Sequence, residues 1–214
     1  MPRITAKICG LSTPETFGAA IKGGASHVGF MFYAPSPRNL TIDQAAALAP
    51  LVPGSVARVG VFVNADDALL DAAVAAGRLD ALQLHGTETP ERVAAIRQRF
   101  GLEIWKVVPV KTSADLAGAL PYCAVADRIL YDAKTPSSAP LPGGMGLRFD
   151  WKLLQGVRHP LPWALSGGLD AGNVGDAVGT TGARLVDVSS GVESAPGVKD
   201  VDKIAAFLQA VARL

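Results

Sequence analysis

The sequence predicts a closed (β/α)8 barrel, also known as a TIM barrel, and three observations support that fold class. Eight short apolar runs alternate with helical segments, and 214 residues shared among eight units give roughly 27 residues per unit, near the minimum for a strand, a helix and two loops. The runs are continuous in Val, Ile and Leu rather than alternating, which is typical of parallel strands buried on both faces. Eight units is the number that closes this barrel.

The first half of the chain supplies four predicted strands and four helices. The strands are the apolar runs Ile4 to Ile8, His27 to Phe32, Ala57 to Val63 and Ala81 to Leu84. The helices are predicted at Pro14 to Lys22, Thr41 to Ala49, Asp66 to Ala76 and about Thr89 to Phe100. The first helix has Thr13 as its N-cap with proline at the first helical position, and Gly77 is expected to close the third helix.

The second half continues the pattern with one long interruption. The strands are predicted at Glu103 to Val108, Arg128 to Tyr131, Pro162 to Leu165 and Arg184 to Val188. The helices are predicted near Ser113 to Leu120, at Asp170 to Val178 and at Lys199 to Arg213. The closing helix is expected to bury Val201, Ile204, Leu208 and Val211, which share one face. The long loop from Ala133 to Phe149 has the length of a lid.

A doubly wound open sheet is the alternative architecture. It usually has fewer strands and a glycine-rich turn after the first one, and Cys9-Gly10-Leu11-Ser12 is not a GxGxxG fingerprint. No linker or shift in composition indicates a second domain. We therefore expect one (β/α)8 catalytic domain over residues 1–214.

Composition excludes several classes of function. The net charge is +1, from 20 basic and 19 acidic residues, so no strong field for nucleic acid or an anionic membrane is expected. Cys9 and Cys123 form no CxxC pair, which argues against a zinc site or a disulfide framework. Without a signal-peptide core or an apolar stretch approaching about 18 residues, the chain is expected to be a soluble cytoplasmic protein.

The barrel prediction locates the active site at the carboxyl ends of the strands. Polar, ionisable and glycine residues fall at those ends: Cys9, the loop Pro35 to Arg38, Asn64, Gln83 to Gly86, Asp132, Ser166 to Gly168, and Asp187 to Gly191. Cys9 is the most informative of them, because a thiol at a strand end can serve as a proton base. Cysteine is also among the most often buried residues, so a structural role is the alternative for Cys9 taken alone.

Local motifs at these strand ends occur in the same order as in a known protein family. They are Lys7-Ile8-Cys9-Gly10, Gly29-Phe30 leading to Ser36-Pro37-Arg38, Val59 to Asn64, Gln83-Leu84-His85-Gly86, Asp132-Ala133-Lys134, Gly143-Gly144-Met145-Gly146 before Phe149-Asp150-Trp151, Ser166-Gly167-Gly168-Leu169 with Asn173, and Asp187 to Glu193. From Lys7 to about Lys203 the chain resembles the phosphoribosylanthranilate isomerase family. The motifs together are specific, although no single one is.

The resemblance implies an Amadori rearrangement, the third step of tryptophan synthesis from chorismate. The reaction converts N-(5-phosphoribosyl)anthranilate to 1-(2-carboxyphenylamino)-1-deoxyribulose 5-phosphate. By resemblance, Asp132 is the general acid that protonates the ribose ring oxygen and Cys9 is the general base that removes the C2 proton. The iminium intermediate is its own electron sink, so no metal or organic cofactor is expected. A monomer or weak homodimer is expected, with the phosphoribosyl substrate as the partner and no nucleic acid or membrane.

The resemblance also divides substrate binding between two ends. Arg38 is expected to bind the anthranilate carboxylate, since a guanidinium offers paired donors. Gln83 and His85 are expected to line the rim and bind substrate there, and Asp187 is expected to contact the ribose hydroxyls or to help hold the site. Phosphate is expected at the loops after the last two strands. The residues predicted to bind it are Gly143, Gly144, Gly146, Ser166, Gly167, Gly168, Ser190 and Gly191.

Two other functions stay open at this point. A related phosphosugar isomerase of histidine biosynthesis has an Asp at the first strand end, where this chain has Cys9. A barrel that binds a phosphorylated ligand without turnover would be favoured if Cys9 or Asp132 were absent, and both are present.

Overall fold

Eight parallel strands form a closed barrel in the computed structural model, which describes residues 3–136, 138–139 and 141–214. The strands are β1 (Thr5–Cys9), β2 (His27–Phe32), β3 (Ala57–Phe62), β4 (Ala81–Leu84), β5 (Glu103–Val110), β6 (Arg128–Ala133), β7 (Trp163–Leu165) and β8 (Leu185–Val188). Neighbours in the chain are neighbours in the sheet, and β1 pairs with β8 to close it. The predicted fold class is confirmed.

Helices cover the outside of the barrel. They are α1 (Pro14–Lys22), α2 (Ile42–Leu48), α3 (Asp67–Gly77), α4 (Pro90–Phe100), α5 (Val174–Thr181) and α6 (Val201–Ala212). Shorter 3₁₀ helices lie at Ala49–Leu51, Ser113–Tyr122, Trp151–Leu154 and Ser190–Val192. In the described part of the chain, no helix has both the length and the apolar character to span a bilayer.

Several helix boundaries differ from the predicted ones for local reasons. The segment after β5 is a 3₁₀ helix, with Pro121 inside it. α5 begins four residues later than expected, because Asp170 Oδ1 accepts hydrogen bonds from the amides of Gly172 and Asn173 and holds a turn before the helix. α3 ends in a left-handed residue at Arg78 (φ 46°) rather than at Gly77.

The closing helix α6 is amphipathic as expected, with one correction to its buried face. Ile204, Phe207, Leu208 and Val211 are buried, whereas Val201 is 43% exposed. Val201 is the first residue of the helix, next to the cap residue Asp200, and it lies beyond the turn that packs on the barrel. Phe207 completes the apolar stripe instead.

A short antiparallel hairpin, β9 (Glu193–Ala195) and β10 (Val198–Lys199), was not predicted. It follows β8 and precedes α6, at the end of the barrel where the strands finish. Two and three residues are too few for a strand period to be visible in the sequence. The hairpin matters because it brings Glu193 and Lys199 to the mouth of the barrel.

The barrel interior changes from apolar to polar along the strands. A buried cluster of Val59, Ala81, Trp105, Val107, Leu130, Ala164 and Leu185 fills the lower layers. Side chains on one strand face the same side every second residue. Two residues after Ala81, Leu130 and Leu185 come Gln83, Asp132 and Asp187. The strand period therefore sets a polar floor directly above an apolar core.

Candidate active site

A cavity of about 760 Å³, its open mouth included, lies above this polar floor. Its lining includes thirteen of the fourteen predicted site residues: Cys9, Arg38, Gln83, His85, Asp132, Gly143, Gly144, Gly146, Ser166, Gly167, Gly168, Asp187 and Ser190. Gly191 does not line it. A Cβ at Gly191 would collide with the carbonyl oxygen of Leu169, so this glycine lets two loops pack closely.

Asp132 is a buried carboxyl group held beside His85. It is 6% exposed, its Oδ1 accepts a hydrogen bond of 2.8 Å from the Ala133 amide, and its Oδ2 lies 3.5 Å from His85 Nε2. Burial raises the pKa of Asp132 to about 7, against the opposing effect of the Ala133 hydrogen bond. The carboxyl group can therefore carry a proton near neutral pH, as a general acid must. Lys134, two residues further along the chain, pairs with Asp115 rather than with this aspartate.

Cys9 faces the cavity from the end of β1, three strands around the barrel from the β6 strand that carries Asp132. Its thiol is free and buried. Burial raises the pKa of the Cys9 thiol, whereas the neighbouring Lys7 ammonium acts to lower it and Asp187 acts to raise it again. The thiol is thus protonated at neutral pH, and it has a cation nearby.

Lys7 is the residue that the sequence reasoning missed beneath this thiol. It is fully buried, and its Nζ donates a hydrogen bond of 2.9 Å to Asp187 Oδ1. The strand register places Lys7 opposite Asp187 across the β1–β8 pair. A lysine inside an apolar strand, two residues before Cys9, was the signal available in the sequence.

Arg38 reaches the mouth of the cavity with most of its guanidinium engaged. Nε and Nη2 donate to the two carboxylate oxygens of Glu193 at 2.7 and 2.8 Å, and Nη2 also donates to the Gly144 carbonyl at 2.9 Å. Lys199 Nζ lies 2.7 Å from Glu193 Oε1. This buried Arg38–Glu193–Lys199 network joins the β2 loop to the β9–β10 hairpin, and neither Glu193 nor Lys199 was predicted as a site residue.

Gln83 and His85, near the end of β4, form part of the cavity wall. Gln83 is 1% exposed, and within the described structure its Oε1 has no hydrogen-bond partner although it is buried. A buried amide oxygen without a partner in a cavity wall is a group for a ligand to satisfy. Burial, with the Lys106 and Lys7 cations nearby, lowers the pKa of His85 to about 4, so its imidazole is neutral at physiological pH.

The predicted phosphate residues come together from three loops. A Cβ at Gly168 would meet the Gly146 carbonyl oxygen at 3.1 Å, and one at Gly146 would meet Ser190 Oγ at 3.6 Å. These short distances show that the loops after β6, β7 and β8 lie close together on one side of the cavity. In the described residues no cluster of three or more His, Cys, Asp or Glu side chains has an arrangement that could hold a metal ion.

A (β/α)8 barrel whose strand ends bring a raised-pKa carboxyl group and a thiol to one cavity is an enzyme of the acid–base class. Comparison with known proteins then identifies its family. The family model described as N-(5'phosphoribosyl)anthranilate (PRA) isomerase matches residues 6–210. The chain therefore belongs to this family of isomerases, as the motifs predicted.

Individual relatives agree with that assignment along the whole chain. The N-(5'-phosphoribosyl)anthranilate isomerase of Zymomonas mobilis subsp. pomaceae is 56% identical over 209 residues, which are 97% of this chain and 98% of the relative. The isomerase of Paramagnetospirillum magneticum is 55% identical over 207 residues, covering 97% of this chain and 96% of the relative.

Solved structures of this family superpose over the full length. Phosphoribosyl anthranilate isomerase from Thermotoga maritima matches with a TM-score of 0.87 and 38% identity, with 100% of both chains covered. A phosphoribosyl anthranilate isomerase in complex with reduced 1-(o-carboxyphenylamino)-1-deoxyribulose 5-phosphate matches with a TM-score of 0.85 and 36% identity, again over 100% of both. These matches favour the isomerase over the histidine-pathway enzyme and the non-catalytic barrel.

Proposed function

We propose that Asp132 and Cys9 carry out the two proton transfers of the isomerisation that this family catalyses. The observation that carries the proposal is the pair's environment, in which both groups line one cavity and burial keeps a proton on Asp132 near neutral pH. Asp132 donates its proton to the ring oxygen of N-(5-phosphoribosyl)anthranilate, and the C1–O bond breaks to give an iminium ion. Cys9 then removes the C2 proton, and the enolamine formed tautomerises to the aminoketone.

The substrate supplies the electron sink for the second step, because the proton removed is on the carbon beside an iminium. The enzyme's contribution is to hold a proton donor and an acceptor at the two reacting atoms. A positioned acid or base contributes about 10²–10⁴-fold to a rate. No cofactor is needed in this scheme, since no electron leaves the substrate.

The test of the two roles is turnover of the Asp132→Asn and Cys9→Ser variants. Each is expected to lose at least about a hundredfold in kcat while keeping the wild-type circular dichroism and melting behaviour. Cys123→Ser is the matched control, since Cys123 lies away from the cavity lining, and it is expected to keep full activity. Near-wild-type turnover of either site variant would remove that residue from the mechanism.

We assign substrate binding to the two ends of the same cavity. Arg38 is assigned to the anthranilate carboxylate, and the converging glycine loops with Ser166 and Ser190 are assigned to the phosphate. Gln83, His85 and Asp187 are assigned to the atoms between. The free carbonyl oxygen of Gln83 supports a hydrogen bond to a substrate donor.

The Arg38 assignment is tested with a substrate that lacks the carboxylate, N-(5-phosphoribosyl)aniline. Arg38→Met is expected to lower kcat/KM for the anthranilate substrate by at least about tenfold, in line with loss of a charged hydrogen bond of roughly 1.5–3 kcal/mol. It is expected to change kcat/KM for the aniline substrate much less. An equal loss for both substrates would show that Arg38 only supports the loops.

We further propose that residues 1–214 act as one catalytic domain, in the cytoplasm, as a monomer or weak homodimer. A Thermotoga maritima relative is described as dimeric and has been crystallised as monomers generated from that dimer. Sedimentation equilibrium across a range of protein concentrations would test the oligomeric state. A dimer that stays intact at nanomolar concentration would contradict the weak association proposed.

A further inference from the structure

Lys7 carries an unusual charge for its place in the fold. It lies in the middle of a barrel strand, its neighbours Ala6 and Ile8 are buried, and it has no solvent exposure. A lysine is almost never fully buried unless it is paired. Its ammonium group donates a hydrogen bond of 2.9 Å to Asp187 Oδ1, and Cys9, two residues further along the same strand, faces the same side of β1.

The position of Lys7 prevents it from acting on a ligand directly. Cys9 and Asp187 line the cavity, whereas Lys7 does not, so its ammonium group lies one layer below them. Its charge therefore acts on the reaction through the field it exerts on neighbouring side chains rather than through a contact with the ligand. This separates Lys7 from the groups already assigned to the substrate.

We propose that Lys7 is a positioning residue for Cys9. The buried ammonium group of Lys7 stabilises the thiolate that forms when Cys9 acts as the base. This inference rests on the proposed role of Cys9. Burial disfavours a bare thiolate, and an adjacent opposite charge offsets that cost. Asp187 completes the arrangement, because it keeps Lys7 charged and directs it from the neighbouring strand.

The other charges around Cys9 do not replace Lys7. Asp187 on β8 is an anion and opposes the thiolate, whereas Lys199 on β10 favours it less strongly than Lys7 does. On β2, the register partner of Cys9 is Gly29, which has no side chain, and His27 is neutral because burial lowers its pKa to about 4. On β6, burial raises the pKa of Asp132 to about 7, and its carboxyl group supplies no cation in either protonation state. Lys7 is thus the main cation that faces the thiol.

The test measures the Cys9 titration directly, without substrate. In a Cys123→Ser background the only thiol is Cys9, and the pH dependence of its alkylation by iodoacetamide reports its pKa. Lys7→Met is expected to raise that pKa by about one unit or more, because the nearest stabilising cation is lost. The matched control is Lys22→Met, the same change at an exposed position on α1, which is expected to leave the titration unchanged.

A second variant covers the possibility that Lys7→Met fails to fold with Asp187 left unpaired. Lys7→Met/Asp187→Asn removes both charges together, and its Cys9 pKa is expected to lie between those of the wild type and Lys7→Met, since Lys7 outweighs Asp187 at the thiol. Lys7→Arg keeps the charge and is expected to restore part of the shift. An unchanged Cys9 pKa in the charge-removing variants would overturn the proposal.

Kinetics separate this proposal from the assignment of Cys9 itself. Lys7→Met is expected to lower kcat about tenfold or more at pH 7.5, with KM changed less than about threefold, and the loss is expected to persist as pH rises until the pKa of Cys9 is exceeded. If Cys9→Ser keeps turnover while Lys7→Met still shifts the Cys9 titration, Cys9 is not the general base, but the effect of Lys7 on the Cys9 pKa is confirmed. If Cys9→Ser is inactive and the titration does not move, only the role of Lys7 is refuted.

Discussion

Oδ2 of Asp132 lies 3.5 Å from Nε2 of His85, and burial moves the pKa values of the two groups in opposite directions. The pKa of His85 is lowered to about 4 and that of Asp132 is raised to about 7, since burial disfavours the charged form of each. At neutral pH the pair is a neutral imidazole beside a carboxyl group that is protonated in about half of the molecules. His85 therefore does not act as a cation that keeps Asp132 ionised.

This relationship predicts the shape of the pH–rate profile. The catalytically active form of the enzyme has a protonated Asp132 and a deprotonated Cys9. Asp132 nevertheless has the lower pKa of the two groups. The fraction of enzyme in that form rises with pH up to the pKa of Asp132 and is constant between the two pKa values. We expect kcat/KM to increase tenfold per pH unit below about pH 7 and to level off above it.

Asp132→Asn supplies the matched control for that profile. Only Cys9 titrates in this variant, so its residual activity is expected to keep rising through pH 7 without levelling. The measurement is kcat/KM of both proteins from pH 5.5 to 9 in buffers of constant ionic strength. A plateau at the same pH in the Asn variant would assign the inflection to a group other than Asp132.

Gly143 covers the Asp132–His85 pair closely enough to allow no side chain. A Cβ there would lie 2.7 Å from His85 Cε1 and 2.9 Å from Asp132 Oδ2. Gly143→Ala is expected to push the loop away from the pair and lower kcat/KM by about tenfold to a hundredfold, as small misplacements of catalytic groups do. Gly18→Ala on α1, where a Cβ meets nothing within 4 Å, is expected to keep wild-type activity. Equal activity of the two variants would contradict the conclusion that the Gly143 backbone must pack closely against Asp132 and His85.

Much of the fold was predictable because parallel barrel strands leave a strong local signal. Most strands are largely apolar runs with polar residues near or just after their carboxyl ends, and the runs Ala81–Leu84 and His27–Phe32 were predicted with their observed bounds. The predicted strand ends also indicated which residues meet at the mouth of the barrel. Asp132, placed by the sequence just after the sixth strand, lies in its last two residues and faces the cavity.

The buried ionic groups were not predictable by the same reasoning. Lys7 and Asp187 are 180 residues apart, and Arg38 and Glu193 are 155 apart. Local periodicity carries no information on such pairs, because they are formed by the closure of the barrel and by the hairpin after β8. A lysine in an apolar strand signals only that some partner must exist.

Glu193→Gln tests how the buried network sets the position of Arg38. The amide keeps the shape of the side chain but leaves Arg38 and Lys199 without their shared anion. We expect the free energy of unfolding to fall by about 3 kcal/mol and KM to rise at least about tenfold with a smaller change in kcat, since Arg38 is assigned to substrate binding. Glu15→Gln on the exposed surface of α1 is the control. A variant with wild-type stability and KM would show that the network is dispensable.

His27 makes the stability of the barrel depend on pH. Its imidazole packs edge-on against Trp105, with ring centroids 5.2 Å apart, and its Nδ1 lies 2.8 Å from Ser26 Oγ. Burial, assisted by the Lys7 and Arg128 cations, lowers the pKa of His27 from 6.5 to about 4. As pH falls from 6.5 towards 4, the unfolded chain takes up a proton that the folded protein does not, so stability decreases over this window.

The His27→Gln variant isolates this contribution from the others. His85 contributes in the same direction, whereas Asp132 acts oppositely, because its raised pKa makes the folded protein bind the proton first between about pH 7 and 4. Both remain in the variant, so only the His27 contribution is removed. Between pH 7.5 and 5 the wild type is expected to lose about 1–2 kcal/mol more free energy of unfolding than His27→Gln does. Urea titrations at the two pH values measure the difference, and parallel losses in both proteins would mean that the folded state accepts the proton on His27 as readily as the unfolded chain.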